Sequence, residues 1–146
     1  MSDRKKENKY TKEFVEHYKS IGFNHIFIYD NNNNDERLEE VLSESFTINF
    51  TSIINYRNYR DLTNQPQFNA YKDCYEKNRK KFSWLAFYDF DEFLYLKNHE
   101  TIQEFLDQEK FDKCINIKIY WMIYSDNDLI YYKNNPIQER FLIPNI

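Results

Sequence analysis

Cysteine is almost absent from these 146 residues, and so are the features that go with it. Cys74 and Cys114 stand alone, with no Cys-x-x-Cys spacing and no histidine pair beside either one. They read as buried thiols of a reducing compartment, and they exclude a disulfide scaffold and a structural zinc site. The three histidines, His17, His25 and His99, are too scattered to suggest a metal site of their own. No apolar run approaches the roughly 18 residues needed to span a bilayer. The first residues, Met1-Ser2-Asp3-Arg4-Lys5-Lys6-Glu7, contain no apolar core of a signal peptide, so the expected compartment is cytoplasmic. Positive charge is not in excess either. A net charge of −4 argues against nucleic acid as the main partner.

What the chain does have is aromatic side chains, 13 Tyr and 13 Phe, within a composition 41% hydrophobic and 30% charged. That balance belongs to a globular chain rather than a disordered one. The length allows one domain, not two. The most informative stretch is Trp84-Leu85-Ala86-Phe87-Tyr88 followed by Asp89-Phe90-Asp91-Glu92. The aromatic lead-in has the composition of a buried strand. Residues i and i+2 of a strand share a face, so Asp89 and Asp91 are expected to converge where the sheet opens into a crevice. Two carboxylates that close repel unless a cation or a shared proton relieves them. Paired hard oxygens suit Mg²⁺ or Mn²⁺, which complete their coordination with substrate phosphates. An acidic turn after a core strand is the plainer alternative.

The order of elements gives a fold class. Residues 7–21 carry Tyr10, Phe14, Val15, Tyr18 and Ile21 at helical spacing, and Gly22 follows where a helix needs a left-handed residue. His25-Ile26-Phe27-Ile28-Tyr29 reads as a strand covered on both faces, ending at Asp30 and a run of four asparagines. Asp35 is placed to cap a short helix over residues 36–42 with Leu38, Val41 and Leu42 inward. Residues 51–56 form a second strand. Pro66 opens a helix to about Asn78 with Phe68, Tyr71, Cys74 and Tyr75 on one face. Beyond the acidic strand, residues 101–108 look helical, residues 115–124 and 129–132 look like strands, and 140–143 is strand-like. This alternation predicts a three-layer α/β sandwich with a mostly parallel central sheet and late antiparallel strands. The opening helix looks as if a strand should precede it, and the chain stops soon after a strand, so both ends read as cut.

In this order and at these intervals, the segments 6–18, Gly22-Phe23, Ile26 to Asn31, Asn55-Tyr56-Arg57, 65–74, 84–94, 121–127 and 136–141 resemble glycosyltransferase family 92. They are similar also to family-2-like enzymes of the GT-A type. The resemblance implies a GT-A-like, Rossmann-related domain over residues 1–146, lacking its first strand and its C-terminal part. It implies an enzyme moving a sugar from a nucleotide-diphosphate donor, a UDP-sugar above all, to a glycan or other acceptor, with inversion. Asp89 and Asp91 take the place of the family's DxD, which implies Mn²⁺ or Mg²⁺ bridging the diphosphate as a Lewis acid. Asp30 stands where the family implies a contact with base or ribose, or else simply starts a turn. Arg57 and Arg60 lie in the loop after the second strand, where guanidinium forks suit phosphate oxygens or solvent.

Asp126 is a candidate general base, since an inverting transferase needs such an acid, but Tyr124 to Asp128 more plainly make a hairpin turn between two strands. The base otherwise lies beyond Ile146. Trp121 and Tyr124 suit stacking on a sugar or packing in the core, and Asp73 suits a solvated helix face. Two other readings stand beside this one. Haloacid-dehalogenase phosphatases also place a DxD at a strand end and use its first Asp as nucleophile, but early in the chain and with Thr or Val where Phe93 stands. The third reading is a truncated, non-catalytic remnant.

Overall fold

The computed structural model describes residues 7–31, 38, 42, 49–57, 65–124 and 135–140. Its described elements run α1 (Glu7–Ser20), β1 (Ile26–Asp30), β2 (Thr51–Asn55), α2 (Pro66–Asn78), α3 (Ile102–Leu106), a 3₁₀ turn (Glu109–Phe111) and α4 (Ile137–Arg140). The chain divides into two compact units, residues 1–94 and 95–146.

In the first unit, α1 buries Phe14, Val15 and Tyr18, three of the positions its periodicity picks out. It ends in a Schellman motif, with Phe23 N–H on the Tyr18 carbonyl (3.0 Å) and Gly22 N–H on the Lys19 carbonyl (3.1 Å). Gly22 sits at φ 89°, a left-handed conformation that a Cβ would disfavour. The rings of Phe23 and Tyr18, 4.9 Å apart, supply the apolar contact that accompanies this motif. The chain then enters β1, which pairs in parallel with β2 from Ile26↔Thr51 to Asp30↔Asn55. Parallel pairing needs a crossover of a dozen or more residues. Within that connection, Leu38 and Leu42 are described. Both are buried, and Leu42 N–H bonds the Leu38 carbonyl at 3.0 Å. The expected cap at Asp35 lies outside the described residues.

The described sheet has two strands, so the arrangement is α/β with a small parallel sheet. The expected strand at residues 84–89 is neither helical nor paired in that sheet. Its aromatic side chains explain the difference: they are held by rings from helices rather than by a backbone ladder. Tyr88 stacks on Tyr18 at 5.0 Å, and Phe87 tilts against Tyr71 at 4.8 Å. The buried face of α2 also differs from expectation. It consists of Ala70, Cys74 and Asn78, at i, i+4 and i+8, while Phe68 and Tyr75 are exposed.

In the second unit, Thr101 caps α3 by accepting from Glu104 N–H at 3.3 Å, within the helix expected there. Residues 115–124 are not a strand, apart from a single bridge position at Tyr124. Among the described residues 95–124 and 135–140 none is buried, so the core on view belongs to the first unit. Arg140, expected to begin a strand, instead ends α4, and residues 129–132 and 141–143 lie outside the described residues. Among the described residues no helix is long and apolar enough to cross a membrane.

Candidate functional site

Asp89, Phe90, Asp91 and Glu92 form a turn closed by Glu92 N–H on the Asp89 carbonyl at 3.0 Å. The Glu92 carboxylate returns to accept from Asp89 N–H, also at 3.0 Å. This reciprocal pair gives Glu92 a local task, closing the turn. It places the two aspartates at the first and third turn positions instead of on one face of a strand, and both are exposed. Phe90 and Phe93 alternate with the acids because their rings anchor the turn. Phe90 meets Phe14 edge-on at 5.2 Å, and Phe93 meets His17 at 5.2 Å and Phe14 at 6.2 Å.

Helix α1 also holds the backbone of the turn's outgoing arm. The Tyr18 hydroxyl donates to the Glu92 carbonyl (3.0 Å) and accepts from Leu94 N–H (3.2 Å). His17 Nε2 donates to the Leu94 carbonyl at 3.0 Å. Burial lowers the His17 pKa, and the Leu94 bond and Glu13 only partly offset it, so the ring is neutral at pH 7. Burial, and behind it the Glu92 carboxylate, pushes Tyr88 up to about 12.

Helix α2 holds the incoming side. Gln67 Nε2 donates to Asp89 Oδ1 at 2.8 Å and to the Tyr71 hydroxyl at 2.9 Å, and that hydroxyl donates to the same Asp89 oxygen at 3.2 Å. Gln67 and Tyr71 are four residues apart and so share one helix face. α2 has no acid in its own first turn, and Asp89 brings a negative charge beside that end, where the helix dipole favours one. Asp91 has no side-chain partner among the described residues.

Asp30 and Arg57 are brought together. Asp30 is 2% exposed at the end of β1, and its Oδ2 accepts from Arg57 Nη2 at 2.6 Å and Nε at 3.2 Å. The backbone repeats the link, Tyr56 N–H bonding the Asp30 carbonyl at 2.8 Å. Asp73, expected on a solvated face, instead accepts from the Tyr29 hydroxyl (2.7 Å) and pairs with Lys77 (2.8 Å). Partial burial alone would raise its pKa; the bonds from Lys77 and Tyr29 outweigh burial and leave it lowered. Asp126 and Arg60 lie outside the described residues. Trp121, 80% exposed, is not a core residue.

Sequence reading missed Gln67, Tyr71, Tyr18 and His17 as supports of the acidic turn. Only the i, i+4 polar pair in the first turns of α2 hints at them. Among the described residues no group of three or more His, Cys, Asp or Glu side chains is gathered for a metal. An ion that bridges a diphosphate needs fewer, since Mg²⁺-type sites use one or two carboxylates, water and phosphate. The second oxygen of Asp89 and both of Asp91 are hard donors with no basic partner among the described residues, which fits such an ion.

The chain matches the model of glycosyltransferase family 92 over residues 5–139. It is 30% identical over 98 residues to a glycosyltransferase family 92 protein of Oryza sativa subsp. japonica, covering 67% of this chain and 16% of that protein. Identity is also 30% over 92 residues to a family 92 protein of Ricinus communis, covering 60% of this chain and 14% of the relative. The chain thus spans about a sixth of the length of the curated relatives it matches. No solved structure matches it significantly. With nearly all of its length inside the family pattern, and the acidic turn and the Asp30–Arg57 pair within that span, the chain belongs to glycosyltransferase family 92.

Proposed function

We propose that this chain carries the nucleotide-sugar site of a glycosyltransferase, with a UDP-sugar as donor and a glycan or other hydroxyl-bearing molecule as acceptor. The observation that carries the reading is the presentation of Asp89 and Asp91. Two exposed carboxylates, with no basic partner among the described residues, stand on a turn that two helices hold in place. Asp89 and Asp91 would hold Mn²⁺ or Mg²⁺, which supplies charge neutralisation for the departing diphosphate. Arg57, held by Asp30, binds the nucleoside side of the donor. Arg57 offers its guanidinium to phosphate or ribose oxygens, and Asp30 fixes its orientation from within the core. Tyr29 and the acidic turn both bond α2, at Asp73 and Tyr71, which supports one shared site at the carboxyl end of β1. Asp126 serves as the general base of an inverting transfer, taking the acceptor hydroxyl proton.

Calorimetry with UDP, with and without Mn²⁺, tests the reading. The parent chain is expected to bind UDP only when Mn²⁺ is present. Asp91→Asn keeps the side-chain size and removes the charge that a hard cation seeks, so it abolishes the Mn²⁺-dependent binding. Its melting temperature without metal holds, because an exposed side chain is replaced by one of the same size. Asp126→Asn leaves UDP affinity unchanged. A parent chain that binds neither UDP nor Mn²⁺ overturns the proposal in favour of a non-catalytic remnant.

A further inference from the structure

Asp89 and Asp91 are alike in sequence but not in surroundings. Asp89 Oδ1 already takes two hydrogen bonds, from Gln67 Nε2 at 2.8 Å and the Tyr71 hydroxyl at 3.2 Å, while Asp91 takes none from a described side chain. Gln67 and Tyr71 also bond each other at 2.9 Å, so the two donors and the acceptor oxygen form a closed triangle. Each member restrains the other two. Tyr71 is restrained further by its ring contact with Phe87, 4.8 Å between centroids. A carboxylate bonded in this way cannot turn both oxygens to one ion without giving up two donors.

We propose that Gln67 and Tyr71 are positioning residues that hold Asp89 to single-oxygen ligation and so make the site select small octahedral cations over Ca²⁺. The inference rests on the reading of Asp89 and Asp91 as ligands of a diphosphate-bound ion. Ca²⁺ accepts bidentate carboxylates and six to eight ligands in flexible geometry, whereas Mg²⁺-sized ions demand near-ideal octahedra. Blocking Oδ1 removes the bidentate mode that favours the larger ion. It leaves Oδ2 as the one oxygen available from this residue. Asp91, unrestrained, supplies the adjustment that the second ligand needs. Outer hydrogen-bond partners of metal ligands act in this way generally, orienting the ligand and setting the ion it prefers.

The test is a competition between Mn²⁺ and Ca²⁺ on the chain in the presence of UDP, with free Mn²⁺ read by its paramagnetic resonance signal. The variants are Tyr71→Phe, which keeps the ring against Phe87, Gln67→Leu, and the two combined, with Asp91→Asn as control. The combined variant is expected to weaken Mn²⁺ binding about tenfold, the lower end for loss of an outer-shell partner. Ca²⁺ binding is expected to hold or tighten, so the preference for Mn²⁺ shrinks by at least that factor. Equal weakening of both ions would mean that Gln67 and Tyr71 merely support the turn, and it overturns the inference. Unchanged preference overturns it as well. If the combined variant unfolds, Tyr71→Phe alone decides, with a smaller shift in the same direction. Asp91→Asn separates the two levels of the claim. If it binds Mn²⁺ with UDP as well as the parent, the ligand assignment falls and this inference with it. If it loses binding while the other variants keep the parent's preference, only this inference falls.

Discussion

Tyr18 shows how much one hydroxyl can organise. Its ring is packed among Phe14, Phe23 and Tyr88, and its oxygen bridges the Glu92 carbonyl and the Leu94 amide, which are more than seventy positions away in sequence. Burial, reinforced by Tyr88, raises its pKa far above the ordinary phenol value, so it stays a donor throughout the working pH range. Tyr18→Phe keeps the ring and orphans a buried N–H, at a cost of about 1–3 kcal/mol. Urea unfolding measures this, and a change under about 0.5 kcal/mol, the scale of an ordinary surface substitution, would show that the bridge does not hold the turn. The Asp30–Arg57 pair makes a second case. Asp30 has a side chain 1% exposed, and Arg57→Ala withdraws the guanidinium from a carboxylate in the core. Breaking a buried pair from one side costs roughly 3 kcal/mol or more. The substitution Asp30→Asn made in the same chain should recover much of that loss, and equilibrium unfolding of the three variants reads it out.

At the scale of elements, legibility followed where local chemistry acts alone. α1, β1, β2 and α2 lie within a residue or two of the spans read from periodicity, Gly22 and Pro66 marking one end and one beginning. The acidic segment was misread because an apolar, aromatic run satisfies the strand pattern whether its rings meet a sheet or, as here, the side of a helix. Phe14, His17 and Tyr18 of α1 are those partners, and nothing in the run itself names them. The α1 contact makes stability depend on pH. His17 has its pKa lowered from 6.5 by burial, and His25, beside Ser52, is lowered for the same reason. Each group is neutral in both folded and unfolded chains well above that value. As pH falls through about 6.5, the unfolded chain takes up protons first, and stability is lost until the folded pKa is passed. The melting temperature should therefore drop between about pH 7.5 and pH 5.5. His17→Gln, which keeps a donor for the Leu94 carbonyl, should flatten part of that slope; an unaltered slope would assign the effect to other groups.

At the scale of the whole molecule, the two units differ in kind. The first has the buried core and the candidate site; the second, over its described residues, has surface. The candidate acids were legible because a charged pair inside an apolar run stands out, but their supports were not, since Gln67, Tyr71 and Tyr18 are brought in by tertiary packing. Residues 115–124 show the opposite error. Their apolar run predicts a strand, yet Ile115 is 95% exposed, Tyr120 93% and Ile123 63%. Six consecutive residues, Ile119-Tyr120-Trp121-Met122-Ile123-Tyr124, have high β propensity and contain no charge, glycine or proline. Such a segment, exposed, is a hazard for edge-to-edge association. Tyr120→Lys and Ile123→Lys each place a charge at a position that packing leaves largely free. Stability of the chain should change by less than about 0.5 kcal/mol, the ordinary range for surface substitutions. Light scattering at rising concentration should show less association for both variants than for the parent. A loss of stability at either position would mean that this run is packed in solution and that its apolar pattern had been read correctly from the sequence.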